Sequence, residues 1–121
     1  MLKSLYTINA IKEEGDQILA SVSLNENSVI YQAHFPSEPI TPGVCQVHLI
    51  QDVLQSCYPA RIFKLRKAKY LKFTKVLKPT EYKDVELKIE LTKEENTWMI
   101  NAQLFYKSTY FLKAKLFYEV N

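Results

Sequence analysis

The two histidines of this 121-residue chain bracket a single run, His34-Phe35-Pro36-Ser37-Glu38-Pro39-Ile40-Thr41-Pro42-Gly43-Val44-Cys45-Gln46-Val47-His48. An imidazole titrates near neutral pH and serves as base or acid in proton transfer. Pro36, Pro39 and Pro42 each fix φ near −65° and push the preceding residue out of the helical region, so the segment after His34 must be extended and stiff. It leads to Thr41-Pro42-Gly43, where Thr41 suits an N-cap and Pro42 the first position of a helix. The chemistry this suggests is a base held at a set distance from a helix N-terminus, where free N–H groups favour developing negative charge. His48 sits further along the same helix, and Asp52, four residues on, shares its face and is placed to pair with it.

The elements that must position these groups follow from periodicity. Leu5 to Ile11 and Gln17 to Leu24 read as two strands joined through Glu13-Glu14-Gly15-Asp16. Asn25 to Ser28 is a loop, and Val29 to Ala33 reads as a short strand entering His34. A helix from about Pro42 to Cys57 ends at Tyr58-Pro59. Its Val47, Leu49, Ile50, Val53, Leu54 and Cys57 cover a wide apolar arc, opposite a narrow stripe of His48, Gln51, Asp52 and Gln55. Gln46 falls inside the arc and is expected to bond to a sheet. Four β-type segments follow, Ile62 to Val76, Tyr82 to Thr92, Thr97 to Tyr106 and Tyr110 to Val120, each with a period of two that implies a core face and a polar face. The expected architecture is a single α+β domain over 1–121, a curved antiparallel sheet wrapped around one long helix, with the last four strands as a meander.

Composition narrows the function. With 2 Gly in the chain, phosphate-cradling glycine loops are all but excluded. Cys45 and Cys57 lie on the same predicted helix about 18 Å apart, too far for a disulfide, and lack metal-ligand spacing. They read as reduced thiols, and Cys45 has no base spaced to activate it. No apolar run reaches membrane-spanning length and Met1-Leu2-Lys3-Ser4 lacks a signal-peptide core, so a cytoplasmic protein without a membrane span is expected. Neither a metal nor a cofactor is expected. The net charge of +3 conceals a block from 61 to 78 that holds Arg61, Lys64, Arg66, Lys67, Lys69, Lys72, Lys75 and Lys78 with no acid. The block alternates with Phe63, Leu65, Leu71 and Phe73 and carries no base-reading motif, which speaks against nucleic acid and for an acidic protein partner or a plain solvated strand face.

His34-Phe35-Pro36-x-x-Pro39-Ile40-x-Pro42-Gly43-Val44 is similar to the signature of the β-hydroxyacyl-acyl-carrier-protein dehydratases, which have the hotdog fold, and Lys69-Tyr70-Leu71-Lys72-Phe73 through Val76-Leu77-Lys78-Pro79 resembles their following strand. The resemblance implies dehydration of 3-hydroxyacyl thioesters to trans-2-enoyl thioesters in fatty-acid or related lipid biosynthesis. It implies a substrate carried by acyl carrier protein or coenzyme A, and a homodimer, or an oligomer of dimers, whose sheets join. By the same resemblance His34 is the base that removes the α-proton, and Gly43 with Val44 binds the thioester, the Gly43 N–H holding its oxygen. Ser37 stands where the family usually has glycine, and Thr80-Glu81 where it often has Gly-Asp. The consequential departure is His48, fourteen residues after His34, where the family places Glu or Asp to act on the departing hydroxyl. An imidazolium can donate that proton as well. Two other readings stay open: a hotdog acyl thioesterase, and a non-catalytic acyl-binding or assembly subunit of a dehydratase.

Overall fold

The computed structural model describes residues 5–33 and 37–121. Six strands form one antiparallel sheet: β1 (Tyr6–Glu14), β2 (Gln17–Leu24), β3 (Phe63–Phe73), β4 (Asp84–Glu94), β5 (Thr97–Tyr106) and β6 (Thr109–Val120). Between β2 and β3 lie a short helix α1 (Val29–Ala33) and the 15-residue helix α2 (Gly43–Cys57). The sheet order is β1-β2-β4-β5-β6-β3.

The expected period of two is clearest in β4, where Val85, Leu87, Ile89 and Leu91 are buried and the residues between them are not. Register follows from it: Ile89 faces Ala102 of β5 and Ile18 of β2, so one face of each strand joins the core in phase. The core is one cluster that contains this sheet face together with Cys45, Leu49, Ile50, Val53 and Leu54 of α2. Near the C-terminal end of α2, Tyr58, Phe63, Trp98 and Tyr118 meet edge-on or tilted, with ring centroids between 5.0 and 6.3 Å. The β1–β2 turn has Gly15 at φ +60°, the left-handed conformation that favours glycine.

Three expectations are corrected. Val29–Ala33 is helical, not a strand. Ser28 acts as its N-cap, its Oγ accepting from Ile30 N–H (3.3 Å) and its carbonyl from Tyr31 and Gln32 N–H. Asn25 Oδ1 accepting from Asn27 N–H starts this turn. Thr41 does not cap α2; Pro42 occupies the N-cap position with extended backbone and gives no side-chain bond, because the Thr41 hydroxyl is engaged with Tyr31 (2.6 Å). The last four strands are not a simple meander. β4, β5 and β6 follow one another, but β3 crosses to the far edge and pairs with β6. There it has no core face: only Phe63 is buried, and two register shifts, at Leu65/Lys67 and Ala68/Tyr70, interrupt the alternation that its sequence suggested.

Candidate active site

The motif run is held at both sides of the segment 34–36. His34 itself, with Phe35 and Pro36, lies outside the described residues. Before that segment, α1 buries Tyr31; after it, Thr41 is buried, and the bond between their hydroxyls ties the two flanks together. The Thr41 N–H donates to Leu77 carbonyl (2.8 Å), which attaches the flank to the strand-to-strand connection after β3. Burial raises the Tyr31 phenol to about 12, against the opposing pull of its bond to Thr41. Glu38 pairs with Lys78 on the surface, and the ammonium holds that carboxyl below its ordinary range.

Gly43 opens α2, so helix geometry leaves its N–H and that of Val44 without intrahelical acceptors. The first intrahelical bonds from this end are Cys45 N–H and Gln46 N–H to the Pro42 carbonyl. Gly43 has no positive φ; its reason is space. A Cβ there would lie 2.6 Å from Cζ of Phe73, at the end of β3, and 3.0 and 3.1 Å from the two neighbouring ring carbons. Val44 is 76% exposed beside it and Phe73 is 47% exposed, so an apolar, open surface borders the helix N-terminus. The Gln46 amide does not reach the sheet as expected. Its Nε2 donates to Thr41 carbonyl (3.2 Å), because its helix position faces the loop that leads into α2. Its Oε1 is buried without a partner among the described residues. Burial raises the thiol pKa of Cys45, which agrees with an inert core side chain.

His48 projects from the polar stripe of α2, its side chain 46% exposed, and Asp52 at 35% is its neighbour one turn on, with Oδ2 at 3.3 Å from Nδ1. The pairing expected from their spacing is present. Spacing missed the third member. The hydroxyl of Tyr6, first residue of β1, donates to the same Asp52 Oδ2 and lies 3.3 Å from His48 Nδ1. Tyr6 is buried, and its phenol is pushed well above its ordinary value, first by burial and then by the Asp52 carboxylate. The structure thus brings His48, Asp52 and Tyr6 together. Among the described residues no group of three or more His, Cys, Asp and Glu side chains is arranged to hold a metal ion. Among the same residues no helix is long and apolar enough to cross a membrane.

The basic run lies along β3 and the connection after it. Arg66 forms a paired contact with Glu119 of β6 (2.5 and 2.8 Å), and Lys78 is the partner of Glu38. Lys72 lies over the Tyr70 ring and Lys67 over Phe117 of β6.

Comparison with known proteins adds independent findings. The ApeI-like family model, described as ApeI dehydratase, matches residues 10–109. A stretch of 44 residues is 43% identical to the 3-hydroxyacyl-[acyl-carrier-protein] dehydratase FabZ of Saccharophagus degradans, covering 36% of this chain and 28% of that protein. The chain thus aligns with little more than a quarter of that relative's length. Among solved structures, the dehydratase heterocomplex ApeI:P from Xenorhabdus doucetiae superposes with a TM-score of 0.74 at 16% identity, over 93% of this chain and 96% of that one. The putative thioesterase yhdA from Lactococcus lactis gives 0.72 at 11% identity, over 99% and 96%. At such identities the likeness is one of fold, the hotdog fold, which has hosts of more than one activity.

Proposed function

Because the chain belongs to the ApeI-like dehydratase family, we propose that it removes water from 3-hydroxyacyl thioesters to give trans-2-enoyl thioesters, with α2 as the fold's central helix and the acyl chain lying against it. The observation that carries this reading is the helix N-terminus without a side-chain cap at Pro42-Gly43, with His48 on the exposed stripe of the same helix. The Gly43 N–H donates to the thioester oxygen, with Val44 beside it, and preorganised donors there stabilise the enolate that forms as the α-proton leaves. His34 takes that proton. His48, as imidazolium, delivers a proton to the β-oxygen as the C–O bond breaks, and water departs. His34 and His48 then return to their starting states by exchange with solvent.

The substrate is carried by acyl carrier protein or coenzyme A, and the protein works as a dimer, or an oligomer of dimers, in the cytoplasm, with His34 and His48 of one site drawn from different subunits. What supports a second copy is β3, an edge strand with Leu65, Tyr70, Leu71 and Phe73 all exposed. The cations along that strand give an acidic carrier protein a complementary surface. The test is hydration of a short trans-2-enoyl thioester, followed through the loss of the conjugated chromophore, with His34→Ala as control. Turnover is expected with one of the two carriers and at least a hundredfold loss in the control, on the order of a lost acid–base group. No turnover with either carrier-protein or coenzyme A thioesters would sink the proposal. Release of free thiol would instead identify a thioesterase.

A second reading is favoured by His48 itself, which stands where the resemblance places a carboxylic acid, and by the heterocomplex among the structural neighbours. In it the chain is a subunit whose site is completed by a different dehydratase subunit. Gain of activity on mixing with such a subunit would decide for it, whereas gain in His48→Glu alone would show a weakened site of the chain's own.

A further inference from the structure

We infer that Tyr6 and Asp52 are positioning residues that hold His48 in the Nδ1–H tautomer, so that only its Nε2 exchanges protons. This deepens the proposed function and rests on it for the claim that His48 faces substrate. Three atoms form a closed triangle: His48 Nδ1, Asp52 Oδ2 and the Tyr6 hydroxyl oxygen. The phenol has one hydrogen, and it is committed to the carboxylate in the shortest of the three contacts. Nδ1 is therefore left facing two oxygens that offer it only lone pairs, each at 3.3 Å. Without a proton, Nδ1 would add a third lone pair to the same point. With one, it donates to Asp52 or to Tyr6 and every member is satisfied.

The charged and titratable groups packed here come from two elements. Asp52 lies on His48's own helix, and Tyr6 comes from β1; Cys45 of α2 is close enough to Tyr6 to act on its ionisation. The carboxylate is not satisfied by His48 alone, since Tyr6 anchors it from the sheet side and so fixes where its oxygen points. That division of labour resembles the way a carboxylate orients an imidazole through Nδ1 in other acid–base sites. It also constrains the role of His48. A neutral Nδ1–H imidazole has a bare Nε2 and can only accept a proton there. To act on a departing hydroxyl His48 must enter the reaction as imidazolium, and it leaves as the neutral tautomer that the same triangle holds.

The experiment is a long-range proton–nitrogen NMR spectrum of the nitrogen-15-labelled full chain, with the two imidazoles assigned by His34→Ala and recorded at a pH where His48 is neutral. The expected result is an Nδ1–H population exceeding the Nε2–H population by about fivefold, the size of one charge-assisted hydrogen bond weakened by partial exposure. Free imidazole side chains in water favour the opposite tautomer. Asp52→Ala should invert the ratio, Asp52→Asn should keep it because an amide oxygen still accepts, and Tyr6→Phe should reduce it without inverting it. A merely structural Tyr6–Asp52 bond would leave the ratio unmoved in all three. An Nε2–H majority in the unaltered protein, or no change in Asp52→Ala, overturns the proposal. An Nδ1–H majority in a protein that hydrates no enoyl thioester upholds the positioning and defeats the dehydratase reading alone.

Discussion

Replacing Gly43 by alanine tests why glycine opens α2. The added methyl would sit 2.6 Å from Phe73 Cζ, well inside contact, so the ring must move. The obstacle is the far end of a half-exposed side chain rather than backbone. Its displacement belongs at the low end of overpacking costs, about 1 to 2 kcal/mol. Against that stands the gain from replacing glycine in a helix, at most about 1 kcal/mol and less at a first-turn position. Gly43→Ala should therefore lower stability by about 1 kcal/mol. In a Phe73→Ala background the obstacle is gone and the same change should raise stability by about 0.5 kcal/mol. The coupling in this cycle is then about 1.5 kcal/mol, read from urea unfolding midpoints at unchanged slope. A coupling below about 0.5 kcal/mol, the scatter of independent sites, would refute the claim that Phe73 is what requires glycine there.

Two further outcomes follow from buried tyrosines. The Tyr118 hydroxyl is buried without a partner among the described residues, so Tyr118→Phe should stabilise the fold by about 1 kcal/mol in denaturant titration, since a desolvated hydroxyl is removed and the ring packing is kept. Alkaline pH should destabilise the protein through Tyr31 and Tyr118, each raised by burial to about 12. The unfolded chain loses these protons near pH 10 and the folded one does not, so the stability these two phenols contribute is intact below about pH 10 and is lost as pH rises toward 12, with the still higher Tyr6 phenol adding to the fall. Two pH units of mismatch correspond to about 3 kcal/mol per group, and Tyr31→Phe or Tyr118→Phe should each remove its share from the stability profile measured between about pH 9 and 12. A profile identical to that of the unaltered protein would show that these phenols ionise freely in the folded state.

How far the sequence reached depends on the range of the interaction that set each feature. β2 and β5 were read to the residue, and α2 to within one, because their patterns of burial repeat over many positions and end at strong punctuation, such as Gly15 and Pro59. The α1 segment departs from the strand that the side chains of Val29-Ile30-Tyr31 favour, because the Ser28 cap and the burial of Tyr31 outweigh that preference. The placing of β3 beside β6 leaves no trace in local periodicity, since an edge strand is defined by what does not pair with it.

The sequence by itself determined the chemistry within reach of this protein: two histidines, a proline-stiffened run, a helix start at Pro42-Gly43, and a carboxylate one turn from His48. All of these are local, fixed by backbone restrictions and by helical spacing. Only the tertiary structure decided what surrounds them. Phe73 lies 30 residues from Gly43, and Tyr6 lies 46 residues from Asp52, so neither contact has a spacing that a pattern could reveal. The motif supplied two imidazoles and a helix start, but only the fold places the buried Tyr6 hydroxyl against Asp52 and the Nδ1 of His48.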